Sequence, residues 1–538
     1  MRRSLLLAAS MLLAPLAATA QTLPQEQAAM KAHVSFLASD ALRGREAGTA
    51  DHLVAAEYMV SQMIAAGLQP GGTDGSWYQQ VPLVSFQPGE ASSMRLLRDG
   101  TPTALALGSD FVVDANPLKP EQQASGDVVF AGFGISDEAL GRNDYSGLDI
   151  AGKIAAVLVG VPQGLDEAAA ERLGAVSEKV RMARAAGAAG VILIESQQQR
   201  AQVPWAMIAN YLGRPRMTTL DGEGQPKVSG GADNRPLGLL SREGAEKLFA
   251  GSTIDWASVR AAETTGEPMP TGPLGVSLDA TVATDVTRVE SPNVIGLLPG
   301  SDPVLRDQYL VLSAHLDHVG VGEPDAEGDT IYNGAMDNAI GNATLIEVAR
   351  QFQRSGNAPR RSILFISLTA EEKGLLGSSY FAANPTVPVG SVVGDINFDM
   401  PIISYPLVDV VVLGQEHSTL GPATVEAAEQ VGLTVVPDPL PEENFFVRSD
   451  HYSFVQAGIP AISIDSGPGG EGAAAIRTFL DNHYHEPSDE IGLINWQSAA
   501  KFADLTYTVV RNVADADARP AWNPGNEYGV RFNGYGAQ

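Results

Sequence analysis

Four near-continuous apolar runs, "QYLVLSAH", "SILFISLTA", "VVGDINFD" and "AISIDS", punctuate the chain beyond about residue 290. A strand that is apolar at nearly every position is one covered on both faces, as in the centre of a parallel sheet. Between these runs, stretches such as "NATLIEVARQFQRSG" and "PATVEAAEQVG" carry apolar residues at helical spacing. The alternation predicts an α/β domain built on a doubly wound, mostly parallel and partly mixed sheet.

Two further helices are expected near the start, over "EQAAMKAHVSFLASDALRG" and "TADHLVAAEYMVSQMIAAGLQP", each closed by a Gly or Pro signal. From about residue 90 to 275 the texture changes. Short strand-like runs, "GDVVFAGFG", "GKIAAVLVG" and "GVILIES", alternate with turn signals and one Ala-rich helical stretch, and no histidine occurs there. This reads as a separate, smaller, β-rich α+β domain over residues 91–274. The remaining parts, 21–90 and 275–515, form the larger domain, and the Gly- and Asn-rich segment 516–538 is expected to be irregular.

Residues 1–20 have the parts of an export signal: Arg2 and Arg3, an apolar run from Leu5, and the small-residue site Ala18-Thr19-Ala20. Pro15 interrupts a run already short for a membrane span. The expected location is a periplasm or the external medium. With no cysteine in 538 residues, disulfides play no part. A net charge of -28, spread along the chain, argues against nucleic acid or an anionic membrane as partner.

Ligands of open α/β sheets bind outside the carboxyl ends of the strands. There this sequence deposits metal-ligand chemistry: His315 and Asp317 after one apolar run, Glu371 and Glu372 after the next, and Asp399 after a third. Asp337 precedes a helix predicted to start near the same edge, where a helix cap is the ordinary reading, and His485 lies in a later loop. His315, Asp337, Glu372, Asp399 and His485 together form a nitrogen and carboxylate set that suits zinc. Five ligands exceed one open catalytic zinc and are enough for two if a carboxylate bridges. One glutamate of the pair would then bind metal and leave the other free for proton transfer.

In order along the chain, His315/Asp317, "NGAMDNAIGN", "EEKGLLGS", "NFDM" and "YHEPSD" resemble the motifs of the two-zinc exopeptidases, a family of bacterial secreted aminopeptidases, glutamate carboxypeptidase and the inactive transferrin receptor. Residues 91–274 resemble the protease-associated domain inserted in that family. The resemblance implies that Asp337 bridges two zincs, that His315 and Asp399 hold one, and that Glu372 and His485 hold the other. It implies Glu371 as general base, Asp317 as the partner orienting His315, and Tyr484 as a group polarising the substrate carbonyl. The family's spacing selects His315 and His485 over His318 and His483. His451 is expected to border the pocket, and His33, His52 and His417 are read as ordinary. The turn departs from the family at Met336, where many relatives carry an acid, and at Ile340, where serine is usual.

The function implied is hydrolysis of peptide bonds at chain ends, most readily by an aminopeptidase, with a peptide as the partner. A carboxypeptidase or dipeptidase using Arg448 to meet a carboxylate is the alternative within enzymes. A non-catalytic receptor is the alternative outside them, and the presence of all five ligands and Glu371 argues against it. No Gly-x-Ser-x-Gly elbow supports a serine hydrolase.

Overall fold

The computed structural model describes residues 23–228, 231 and 234–538, so the expected export signal lies outside the described residues. The four apolar runs form strands Tyr309–His315, Ser362–Leu368, Val392–Asn397 and Ala461–Ser466. They lie side by side and parallel, with Tyr309–His315 between Ser362–Leu368 and Val392–Asn397, and Ala461–Ser466 next to the latter. Antiparallel neighbours close both sides: Gly272–Leu298 against Ser362–Leu368, and Asp409–Leu413 against Ala461–Ser466. The sheet is therefore mixed, with a parallel centre.

Both neighbours of Tyr309–His315 follow it in sequence, so the chain turns first to one side and then to the other. Such a reversal opens a crevice at the carboxyl ends of the strands. Helices Gln25–Leu37, Ala50–Ala65, Ile340–Ser355 and Trp496–Asp515 cover one face, with Met30, Met59, Phe352 and Phe502 buried between them. Helices Leu376–Ala383 and His451–Gln456 cover the other, setting Phe381 and Phe454 on Val311, Leu364 and Ile366. Local sequence fixes the ends of these helices. Thr49 accepts a hydrogen bond from the His52 backbone at the start of Ala50–Ala65, and Gly356, at φ 65°, terminates Ile340–Ser355 in a left-handed turn.

A second core gathers residues between Met94 and Val282, around Phe130, Val157, Ile192 and Phe249. Its strands Glu121–Phe130, Ile154–Leu158 and Gly190–Ile194 are mutually parallel. The two sheets share one strand. The first half of Gly272–Leu298 pairs with Ser93–Arg98 and Glu121–Phe130, and the second half with Tyr78–Pro88 and Ser362–Leu368.

The C-terminal segment 516–538 is mostly irregular. It contains the short helix Glu527–Arg531, and Trp522 is buried in the core over the second sheet face, its indole N–H donating to the Gly458 carbonyl at 2.9 Å. One large aromatic anchors a stretch whose Gly and Asn content reads as irregular. Among the described residues no helix is long and apolar enough to cross a membrane.

Candidate metal centre

Parallel pairing places His315 opposite Leu368, so the loops carrying Glu371, Glu372 and Asp399 leave the sheet beside the His315 ring. Asp337 sits in the turn before Ile340–Ser355, and His485 follows helix Gly472–Asn482. The Asp337 turn is held from several sides. The Asp489 carboxylate accepts from the backbone N–H groups of Met336 and Asp337, both at 2.9 Å, and the Asn338 amide donates to the Phe398 carbonyl at 2.8 Å. The peptide bond Asp337–Asn338 is cis. A side chain at Gly334 would meet the Asp337 carbonyl at 2.1 Å and the His318 ring at 2.6 Å, so only glycine fits this close approach. From below, the buried Arg45 guanidinium donates to the carbonyls of Leu316, Gly334 and Leu37.

The result is one carboxylate between two histidines. Asp337 Oδ1 lies 3.2 Å from His315 Nε2, and its Oδ2 lies 3.3 Å from His485 Nε2. His315 Nε2 is also 2.9 Å from Asp399 Oδ1, and His485 Nε2 is 3.1 Å from Glu372 Oε2. Bonds of 2.0–2.1 Å in a tetrahedron put neighbouring donor atoms roughly 3.3 Å apart, which these spacings approach. The potential donors fall into two groups that share Asp337, one with His315 and Asp399 and one with His318, Glu372 and His485, and imidazole with carboxylate is a donor set that zinc accepts.

Without a metal the same groups form an acid and imidazole cluster. Burial would lower the His485 pKa, but Glu372 and Asp337 outweigh it and hold it at about 10. Burial likewise opposes protonation of His315, whose pKa is nonetheless raised well above the ordinary value by Asp399, Glu371 and Asp337. Glu372 titrates at about 2, because His485 and His318 outweigh burial and the Asp337 charge. Positive charge is therefore drawn into this cluster from several sides.

Three residues at or beside these ligands adopt left-handed backbone without being glycine: Ala370 at φ 56°, Met400 at φ 37° and His485 at φ 55°. Such conformations cost about 1–3 kcal/mol each and persist where the surroundings impose them.

Sequence reading and structure part at Asp317. His315 Nδ1 faces the backbone carbonyl of Asp317 at 3.1 Å, not its carboxylate. That carboxylate instead accepts from the backbone N–H groups of Glu371 at 3.1 Å and Glu372 at 3.3 Å. His318, set aside from sequence, enters the cluster: its Nδ1 is 2.8 Å from Glu372 Oε1, and His318, Asp337, Glu372 and His485 form one group of potential donors. Asp489 and Asp450 were also missed. The first is the last residue of the "YHEPSD" motif, and the second is buried near the site.

Glu371 sits free of the donor clusters and lines an adjoining cavity of ≈ 100 Å³ together with Asp399, Tyr484 and His485. Burial, reinforced by Asp399, Glu372 and Asp450 against the pull of His315, raises its pKa well above the carboxylate range. Tyr484 stacks on the His485 ring at 4.0 Å between centroids, and burial keeps its hydroxyl protonated. Arg448 lines the cavity too, paired with Glu443 at 3.2 Å and stacked on Phe445. His451 is buried among aromatics, His483 bonds Ser488, and His33, His52 and His417 lie outside the clusters.

Comparison with known proteins places two stretches of the chain in families. Residues 293–510 match the family described as Peptidase family M28, and residues 124–248 match the PA domain. The chain is 31% identical over 219 residues to "Leupeptin-inactivating enzyme 1" of Streptomyces exfoliatus, covering 38% of this chain and 44% of that protein. It is 26% identical over 242 residues to "Aminopeptidase Y" of Saccharomyces cerevisiae, covering 43% and 40% respectively. The match thus spans less than half the length of either relative. In fold, it resembles the aminopeptidase from Aneurinibacillus sp. strain AM-1 with a TM-score of 0.54 and 19% identity, over 93% of this chain and 96% of that one.

Proposed function

We propose that this chain, which carries a Peptidase family M28 domain and a PA domain, is an exported zinc exopeptidase that removes residues from the amino ends of peptides. The observation that carries this reading is the single Asp337 carboxylate placed between His315 and His485, each with its own second acid. His315 and Asp399 would hold one zinc, Glu372 and His485 the other, with Asp337 shared. Zinc bound there supplies Lewis acidity for a scissile carbonyl and makes water ionisable near neutral pH.

The chain's own part is proton movement and positioning. Glu371, half-buried at the edge of the cavity beside the ligands, takes the proton of the attacking water on its carboxylate and returns it to the nitrogen of the leaving amine. Tyr484, held protonated against the His485 ring, donates to the oxygen on which negative charge develops. Asp317 fixes the backbone of both glutamates, and His318 fixes the far oxygen of Glu372.

An amino-end reading is favoured over a carboxyl-end one because Arg448, the guanidinium lining the cavity, is already paired with Glu443. The test is metal content by plasma mass spectrometry together with amine release from free and N-blocked aminoacyl substrates. Two zincs per chain with cleavage of free-amine substrates alone is the expected result. A metal-free, inactive chain after zinc is supplied overturns it.

A further inference from the structure

The cavity beside the candidate metal centre has apolar sides, from Ile402, Val411, Leu413 and Leu480, and two acids besides the ligands and Glu371: Asp438, which accepts from the Leu440 backbone N–H at 2.8 Å, and Asp465, which nothing around it explains. Asp465 lines it from the central strand Ala461–Ser466, in which every other residue is buried. Its Oδ1 is buried and has no hydrogen-bond partner. The charged groups that act on it are Asp399 and Asp438, both acids. Arg448, which lines the same cavity, is committed to Glu443. Buried polar atoms are nearly always satisfied, and an acid left without a donor is costly. The missing donor is one that the chain does not supply.

We propose that Asp465 determines the specificity of this cavity, receiving the ammonium or guanidinium end of a lysine- or arginine-like amino-terminal side chain whose aliphatic stem lies along Val411 and Leu480. This rests on the aminopeptidase reading, which puts the first side chain of the substrate next to Glu371 and Tyr484. A purely apolar side chain would fill the walls but leave Asp465 desolvated and unpaired, and sites built around a polar contact discriminate strongly against analogues lacking it. An acidic side chain would bring a further negative charge to Asp465, Asp438 and Asp399.

Lysine and norleucine share a four-carbon stem and differ by the terminal ammonium, so the pair isolates the contact. The zinc-loaded full chain and Asp465→Asn are compared by kcat/KM on the 4-nitroanilides of both and by calorimetric binding of both amides. The parent is expected to favour lysine about tenfold or more, as for a hydrogen bond to a charged group, and Asp465→Asn to abolish or reverse that ratio. A parent that prefers norleucine, or a ratio that Asp465→Asn leaves unchanged, overturns the assignment. If neither anilide is hydrolysed, the aminopeptidase reading falls, and the assignment is decided by whether lysinamide binds more tightly than norleucinamide in the parent alone. Should Asp465→Asn fail to fold, Asp465→Glu is expected to move the preference from lysine toward the shorter ornithine, and an unmoved preference counts against the proposal.

Discussion

The carboxylate of Asp317 accepts the backbone hydrogen bond of Glu371 at 3.1 Å. It thereby fixes the position from which the Glu371 side chain reaches into the cavity, and a second bond from Glu372 extends the same grip to a metal-ligand candidate. Asp317→Ala is expected to lower kcat and weaken zinc retention about 10–100-fold, with KM little changed. Steady-state kinetics and dialysis against a chelator read both effects. An intact kcat would remove Asp317 from the positioning of the pair.

The Glu371 backbone is tied into the loop, but its side chain belongs to neither donor cluster. Replacing it by Gln keeps its size and removes the base, so Glu371→Gln is expected to keep zinc and thermal stability while losing roughly two to four orders of magnitude in rate. Near-normal turnover in that variant would transfer the proton to another group.

Asp337 touches both histidines, so its loss is felt at both clusters. Asp337→Ala is expected to reduce zinc below one ion per chain in plasma mass spectrometry. Retention of two ions would show that the carboxylate does not bridge.

Three buried histidines make the fold sensitive to acid. Burial, aided by Arg45, lowers His52 to about 3, burial alone lowers His451 to about 3, and burial with Arg350 lowers His33 to about 4. Each takes up a proton near its ordinary value of about 6.5 when the chain unfolds. The unfolded state then binds more protons, so their stabilisation is complete above about pH 6.5 and is lost as pH falls toward 4 and then 3. With metal removed from both proteins, His52→Asn is expected to show a shallower fall in thermal midpoint between pH 7 and 5 than the parent, over about that window. Parallel curves would mean that His52 does not titrate on unfolding.

Trp522 is buried and fastened to Gly458. Trp522→Ala is expected to cost about 3–5 kcal/mol of stability, read by denaturant unfolding. A change under 1 kcal/mol, about the size of a surface effect, would show that the C-terminal segment contributes little.

The sheet was legible because its central strands are apolar at almost every position, and the candidate ligands because they stand where those strands end. What stayed hidden depends on which atom of a known residue faces which neighbour. The Asp317 carboxylate and the Asp317 carbonyl are indistinguishable in sequence, yet only the carbonyl faces His315. His318 is separated from Glu372 by a strand crossover, so their contact has no local signature. Asp465 is absorbed into an apolar run, and Trp522 finds its pocket beside Gly458, far back along the chain. Periodicity reports burial and strand order. It is silent on partners supplied by another loop.

The strand Gly272–Leu298 has a consequence for how the chain assembles. Its Thr284–Val294 stretch zips against Tyr78–Pro88, so residues 89–283 leave and re-enter the larger domain through this pair of strands, to which they add a third strand, Arg216–Thr219, on the far edge of Tyr78–Pro88. Closing so long a loop from an unstructured chain is entropically costly. If residues 89–283 collapse onto their own core first, they bring the two strands of the pair together. Refolding is then ordered, the smaller unit serving as template for the sheet edge of the larger, and pulse-labelled hydrogen exchange is expected to protect Ile154–Leu158 before Ser362–Leu368.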